Sequence, residues 1–192
     1  IMSSDWSSDV CSSDLQVVKG TRLDWLIVRP PAIYGPDDPA LAPVWKMLAR
    51  GWLLQAGPST ARFSLLHVED FCEMLMALMD TPVWPSQATI CPHDGRPQGY
   101  SWADVARIAE SAGDRKIRTI RLNKALLLAQ ASVNVQLSRL IGHTPMLTPG
   151  KVRELTHPDW VCEDNVDCGL INSVRPRTLD QTLTELPGWK DA

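Results

Sequence analysis

LDWLIVRPPAIYGPDD, residues Leu23 to Asp38, reads as an apolar strand that runs into a rigid turn. Leu23, Trp25, Leu26, Ile27 and Val28 show no clean polar alternation, the pattern of a strand covered on both faces in a parallel sheet. Pro30 and Pro31 end the ladder, because each lacks a backbone donor and fixes its φ, and Gly35-Pro36 turns the chain again. In an open α/β sheet, ligands bind at the carboxyl ends of strands. The residues after Val28 are therefore candidates for a site.

Downstream, a helix is predicted over Leu41 to Arg50 with Val44, Met47 and Leu48 on one face and Gly51 as its terminator. Strands follow at Trp52 to Leu54 and Arg62 to His67, with a turn at Gly57-Pro58. From Glu69, the i, i+3, i+4, i+7 spacing of Phe71, Met74, Leu75 and Leu78 predicts a helix that Thr81-Pro82 ends. Ala88 to Cys91 reads as a strand and Pro92 to Gly99 as a loop. Ser101 and Asp104 have capping-box spacing ahead of a helix with Val105, Ile108, Ala109 and Ala112 inward. A strand at Ile117 to Leu122 leads into a long helix. Thr148-Pro149 reads as an N-cap with proline at the first helical position, and Thr178 with Gln181 as another capping box.

Two motifs in this order, RPPAIYGPDD and then SLLHVEDF at Ser64 to Phe71, resemble the C-terminal half of the extended short-chain dehydrogenases, the NAD-dependent epimerase/dehydratase superfamily. Arg29, Pro30, Tyr34, Gly35 and Pro36 match the first pattern; His67, Val68 and Asp70 match the second. The resemblance runs from about residue 16 to the C-terminus. It implies an α/β fold: the C-terminal part of a doubly wound, parallel Rossmann-type sheet with a small α+β substrate-binding lobe. By this reading residues 15–91 complete the Rossmann-type part with strand and helix insertions, and residues 92–192 form the lobe and C-terminal helices.

The family's Gly-x-x-Gly-x-x-Gly loop, which brings a pyrophosphate to a helix N-terminus, is nowhere in the sequence, and neither is Tyr-x-x-x-Lys. Tyr34 has Asp38 four residues on and Tyr100 has Asp104, so neither fills that role. Both motifs lie upstream of the Leu23 strand in the family. The expectation is a fragment of an NAD(P)-dependent oxidoreductase or epimerase acting on a hydroxyl or carbonyl carbon, inactive alone and holding no catalytic residue. The alternative is a non-catalytic relative serving as a cofactor sensor or assembly subunit.

Residues 1–14 repeat Ser-Ser-Asp at Ser3, Ser7 and Ser12 with no structural period and no signal-peptide pattern. The tract resembles translated adapter read-through, with a disordered native tail as the other reading, and stands outside the fold argument.

A net charge of -3 argues against a nucleic-acid surface. The basic run Arg115, Lys116, Arg118, Arg121, Lys124 is read as a solvated strand and helix start. Five cysteines without a C-x-x-C pair, and no secretory signal, point to the cytoplasm. No metal site is expected, since Cys162, Cys168 and His157 match no zinc spacing. No membrane partner is expected either: Ala125 to Leu140, broken by Gln130, Asn134 and Gln136, reads as a partly buried amphipathic helix.

For cofactor contact the resemblance points to backbone groups of Pro30, Pro31, Ala32 and Ile33, which would hold the carboxamide of NAD or NADP; the other reading is that the prolines only shape the turn. Tyr34, Trp45 and Arg62 are candidates for the substrate side, with core packing as the alternative for Tyr34 and Trp45. Nucleotide-sugar members carry an arginine four residues before the histidine, whereas Arg62 stands five before His67 and is followed by Phe63. A one-residue shift turns a strand side chain to the other face, which argues against a nucleotide sugar. In the family His67 and Asp70 fix a strand-to-helix turn. The partner expected is a small-molecule substrate, with a homodimer of the intact parent formed through helices upstream.

Overall fold

The Leu23–Asp38 stretch forms two short strands, β1 (Leu26–Val28) and β2 (Ala32–Tyr34), separated by the Pro30-Pro31 step. The computed structural model describes residues 15–81, 86–141, 147–162 and 174–189; the Ser-Ser-Asp tract, Pro82, His143 and Cys168 lie outside the described residues. After β2 come α1 (Ala42–Ala49), β3 (Trp52–Ala56), β4 (Arg62–Phe63), β5 (Leu65–His67), α2 (Val68–Met79) and β6 (Ala88–Ile90). Then follow β7 (Tyr100–Ser101), α3 (Trp102–Gly113), β8 (Arg118–Leu122), α4 (Lys124–Ile141), α5 (Pro149–Leu155), β9 (Asp159–Trp160) and α6 (Leu179–Thr182). A 3-10 turn over Leu183–Glu185 continues α6.

Strand pairing is mostly parallel: β1 with β6, β2 with β5, β3 with β8 and β4 with β9, against one antiparallel pair, β4 with β7. β5, α2 and β6 form a crossover of the β-α-β kind, and the β1–β2 segment lies beside both of its strands. The fold is the expected α/β class.

The strand is shorter than the sequence suggests. Leu26 and Val28 pack with Leu75 of α2 against a small core of Leu78 and Ile90, while Leu23 is 70% exposed. Pairing through β6 alone among the described strands leaves the expected two-sided cover incomplete.

The main core draws on residues either side of Cys91: Tyr34, Trp45, Leu48, Leu53 and Leu65 meet Tyr100, Val105, Ala109, Leu179, Leu183 and Leu186. In α1 the inward face is Trp45, Leu48 and Ala49, not Val44, which is exposed. The helix ends at Arg50, and Gly51 takes φ +88 just past it, a left-handed value that favours glycine. Arg62 to His67 is two strands rather than one, because the chain changes partner at Ser64, from β7 and β9 to β2. In α3, Val105 and Ala109 point inward and Ala112 does not.

The local start signals hold. At α3 the Ser101 hydroxyl accepts from the Asp104 N–H and the Asp104 carboxylate accepts from the Ser101 N–H. At α5 Thr148 accepts from Lys151 N–H with Pro149 next in line. At α6 the Gln181 side chain accepts from Thr178 N–H.

Candidate functional site

The Pro30-Pro31 step sits where β1 leaves β6. Arg29 N–H donates to Ile90 O at 2.9 Å, the last bond of that ladder, and three residues later Ala32 is already in register with Leu65. Ala32 and Ile33 are thus strand residues rather than part of an open turn. With neither proline able to donate, the step presents only carbonyl acceptors. Pro30, Pro31 and Ile33 are half-buried and Ala32 is exposed.

Gly35 closes the segment against the start of α2. A Cβ there would lie 2.6 Å from Val68 Cγ1, closer than carbon atoms tolerate, so only glycine lets β2 approach the helix at this distance.

Under this step lies a charged hub. His67 caps α2, its Nδ1 accepting from Glu69 N–H at 3.3 Å. Arg177 reaches the same point: its backbone N–H donates to Asp70 Oδ2 at 2.6 Å, Nε to Asp70 Oδ1 at 2.9 Å, and Nη2 to Glu69 Oε2 at 2.8 Å. A guanidinium only donates, so the 3.0 Å contact between Nη2 and His67 Nδ1 makes that nitrogen an acceptor again. The ring proton therefore sits on Nε2, which is buried, with Glu185 Oε2 at 4.0 Å. Glu69, and then Asp70, hold the Arg177 guanidinium above its ordinary range. His67, Glu69 and Glu185 offer ligand atoms within 4.8 Å of one another, but Arg177 already supplies the positive charge in their midst. The arrangement positions the strand-to-helix turn; it offers no free base.

The substrate-side candidates separate. Tyr34 is fully buried, its hydroxyl 2.7 Å from Thr182 Oγ1 and its ring edge-on to His67 at 5.3 Å. Trp45 packs against it, ring centroids 5.8 Å apart. Both are buried in the main core. Met47, not Trp45, faces the open groove over α1, which Pro39, Ala42, Pro43, Lys46 and Arg50 also line. Arg62 donates from Nε to Gln98 O at 2.6 Å and from Nη2 to Gly99 O at 3.1 Å, so its guanidinium is spent on main-chain carbonyls.

Sequence reasoning missed Arg177, Asp94 and Thr182. Tyr100 OH donates to the buried Asp94 carboxylate and accepts from Leu179 N–H at 3.0 Å, which ties α6 beneath β7. Burial pushes both the Asp94 carboxyl and the Tyr100 phenol up. Nothing local marks these residues, since the Arg177 and Asp70 partners stand 107 positions apart.

No family model matches the chain. A ceramide reductase of Caulobacter vibrioides is 36% identical over 135 residues, 70% of this chain and 42% of that protein. Among solved structures, a UDP-glucuronic acid 4-epimerase from Bacillus cereus, in complex with UDP-glucuronic acid and NAD, superposes with a TM-score of 0.58 at 14% identity. The match covers 95% of this chain and 50% of that one. A UDP-glucose 4-epimerase from Thermotoga maritima, solved with UDP-glucose, gives 0.58 at 10% identity, covering 94% and 51%. The chain thus spans about half the length of these proteins. It has the Rossmann-type fold of the extended short-chain dehydrogenases, that of the NAD-dependent sugar epimerases and dehydratases.

Proposed function

We propose that this chain is the C-terminal, substrate-side part of an NAD(P)-dependent reductase, and that the substrate is a lipid-like carbonyl compound rather than a nucleotide sugar. The observation that carries the substrate class is Arg62. In this chain the guanidinium that would clamp a phosphate is bound to Gln98 and Gly99 carbonyls. The 36% likeness to a ceramide reductase, against 10–14% to the two UDP-sugar epimerases, supports the same choice.

The Pro30–Ile33 step supplies the cofactor contact in this reading. NAD or NADP brings the hydride chemistry when bound. The carbonyls of Pro30 and Pro31, fixed in direction by the two rings, accept from a carboxamide NH2, and Ala32 and Ile33 pass alongside in β2. The Arg177–Asp70 hub holds the far end of that strand still. The sequence contains no glycine-rich pyrophosphate loop and no Tyr-x-x-x-Lys, so the chain alone turns nothing over. The intact protein works without leaving the cytoplasm.

A chimera tests this. The aligned 135-residue segment of the Caulobacter ceramide reductase is replaced by that of this chain, and cofactor binding is used to verify folding. NAD(P)H oxidation on a long-chain keto amide, with none on UDP-glucose, is expected. A folded, cofactor-binding chimera that acts on UDP-glucose, or on neither, contradicts the reading.

A further inference from the structure

Arg62 offers the edge of its guanidinium on which Nε–H and Nη2–H run side by side, the fork that matches two oxygens of one phosphate or carboxylate group. In this chain both prongs are filled from within, by the carbonyls of two consecutive residues, Gln98 and Gly99, at 2.6 and 3.1 Å. The main chain thus stands where a bidentate anion would.

The segment that supplies these carbonyls is built to lie there. It leaves β6 at the carboxyl end, where ligands of open α/β sheets bind. Asp94 anchors its start: its N–H donates to Leu65 O at 3.1 Å, and its buried carboxylate accepts from Arg96 N–H and Tyr100 OH. The Arg96 guanidinium lies 4.4 Å from the Tyr100 ring, and Gly99 N–H closes a turn on Arg96 O at 2.9 Å. Gly99 then lies against the backbone of β4. A Cβ there would meet Phe63 O at 2.6 Å and Phe63 C at 2.8 Å, and its φ of +57 is left-handed. Only glycine brings the turn this close to the residue after Arg62. Asp159 of β9, exposed and in register with Arg62, adds a negative charge next to it in the sheet.

We infer that Gly99 is a specificity-determining residue: through it the 96–99 turn caps Arg62 with main-chain carbonyls and shuts phosphate-bearing substrates out of the site, leaving it to neutral ones. Carbonyl oxygens repel phosphate oxygens, so the cap acts against the competing substrate rather than for the preferred one. The inference rests on the proposed function for placing Arg62 on the substrate side. It goes beyond that reading in naming the residue that closes the fork and in requiring that the fork can be reopened.

The test is calorimetric titration of the 192-residue chain with inorganic pyrophosphate at low ionic strength. The unaltered chain is expected to show no saturable binding. Gly99→Ala with Asp159→Asn lifts the turn from Phe63 and removes the neighbouring charge. This pair should raise the affinity roughly tenfold or more, the effect of charge-assisted hydrogen bonds regained. Raised salt should weaken that binding, and Arg62→Met in the same chain should abolish it. If Gly99→Ala fails to fold by far-UV circular dichroism, deletion of the exposed Pro97 and Gln98 together with Asp159→Asn removes one of the two carbonyls and carries the same expectations. Pyrophosphate binding by the unaltered chain that Arg62→Met abolishes overturns the inference, because the fork would then be open already. So does a folded, opened variant that gains no binding, or one whose binding survives Arg62→Met. The titration uses neither ketone nor cofactor, so it fails separately from the chimera.

Discussion

Arg177 does at the residue scale what the motif HVED cannot do alone. Asp70 is buried, and without the guanidinium its carboxylate would keep the Arg177 backbone N–H but lose its charged partner. Arg177→Ala is expected to lower stability by about 2 kcal/mol, the range for a hydrogen bond to a charged group, read as a lower urea midpoint with unchanged slope. Arg177→Lys should recover little of it, because an ammonium cannot bridge Asp70, Glu69 and His67 at once. Asp104 makes a second residue-scale prediction. Burial pushes its carboxyl up, but the Ser101 hydroxyl and N–H and then Arg107 pull it further down, from 3.8 to about 2. A depressed folded value means that its contribution is complete above pH 3.8 and fades as the pH falls toward about 2. The Tm deficit of Asp104→Asn should therefore be present at neutral pH and close as the solution is acidified through that window.

At the scale of elements, the close approach of β2 to α2 makes a paired prediction. Gly35→Ala should destabilise by about 1–3 kcal/mol through overpacking against Val68, and Val68→Ala in the same chain should restore part of that loss. Recovery in the double variant, measured by thermal melting, separates the steric clash from a general loss of the turn. Legibility from sequence also divides at this scale. Start signals at Ser101, Thr148 and Thr178 were readable because donor and acceptor are three residues apart. Strand limits were not, because the partner decides them: nothing in ARFSLLH announces that Ser64 separates one ladder from another. For α1, the stripe through Val44 and the stripe through Trp45 are one residue apart, and the core behind the helix, not the period, chose Trp45.

For the whole molecule, the order of two motifs was enough to read the fold, since RPPAIYGP and HVED mark β2 and the start of α2, which the structure sets side by side. The proposed cofactor contact at Pro30 to Ile33 comes from the resemblance that the first of these motifs carries. Arg62 was readable only as a residue out of register; its use on Gln98 and Gly99 needed the fold. For Tyr34 and Trp45 the sequence leaves pocket wall and core packing both open, because aromatic residues serve either, and their burial in the main core is visible only in the fold. In the proposed function this chain carries the substrate side of a reductase and not the cradle for the cofactor's pyrophosphate. Titration of the purified chain with NADH and NADPH, followed by calorimetry and by Trp fluorescence, tests that most directly. No saturable binding in the micromolar range is predicted; a micromolar dissociation constant for either cofactor would contradict it.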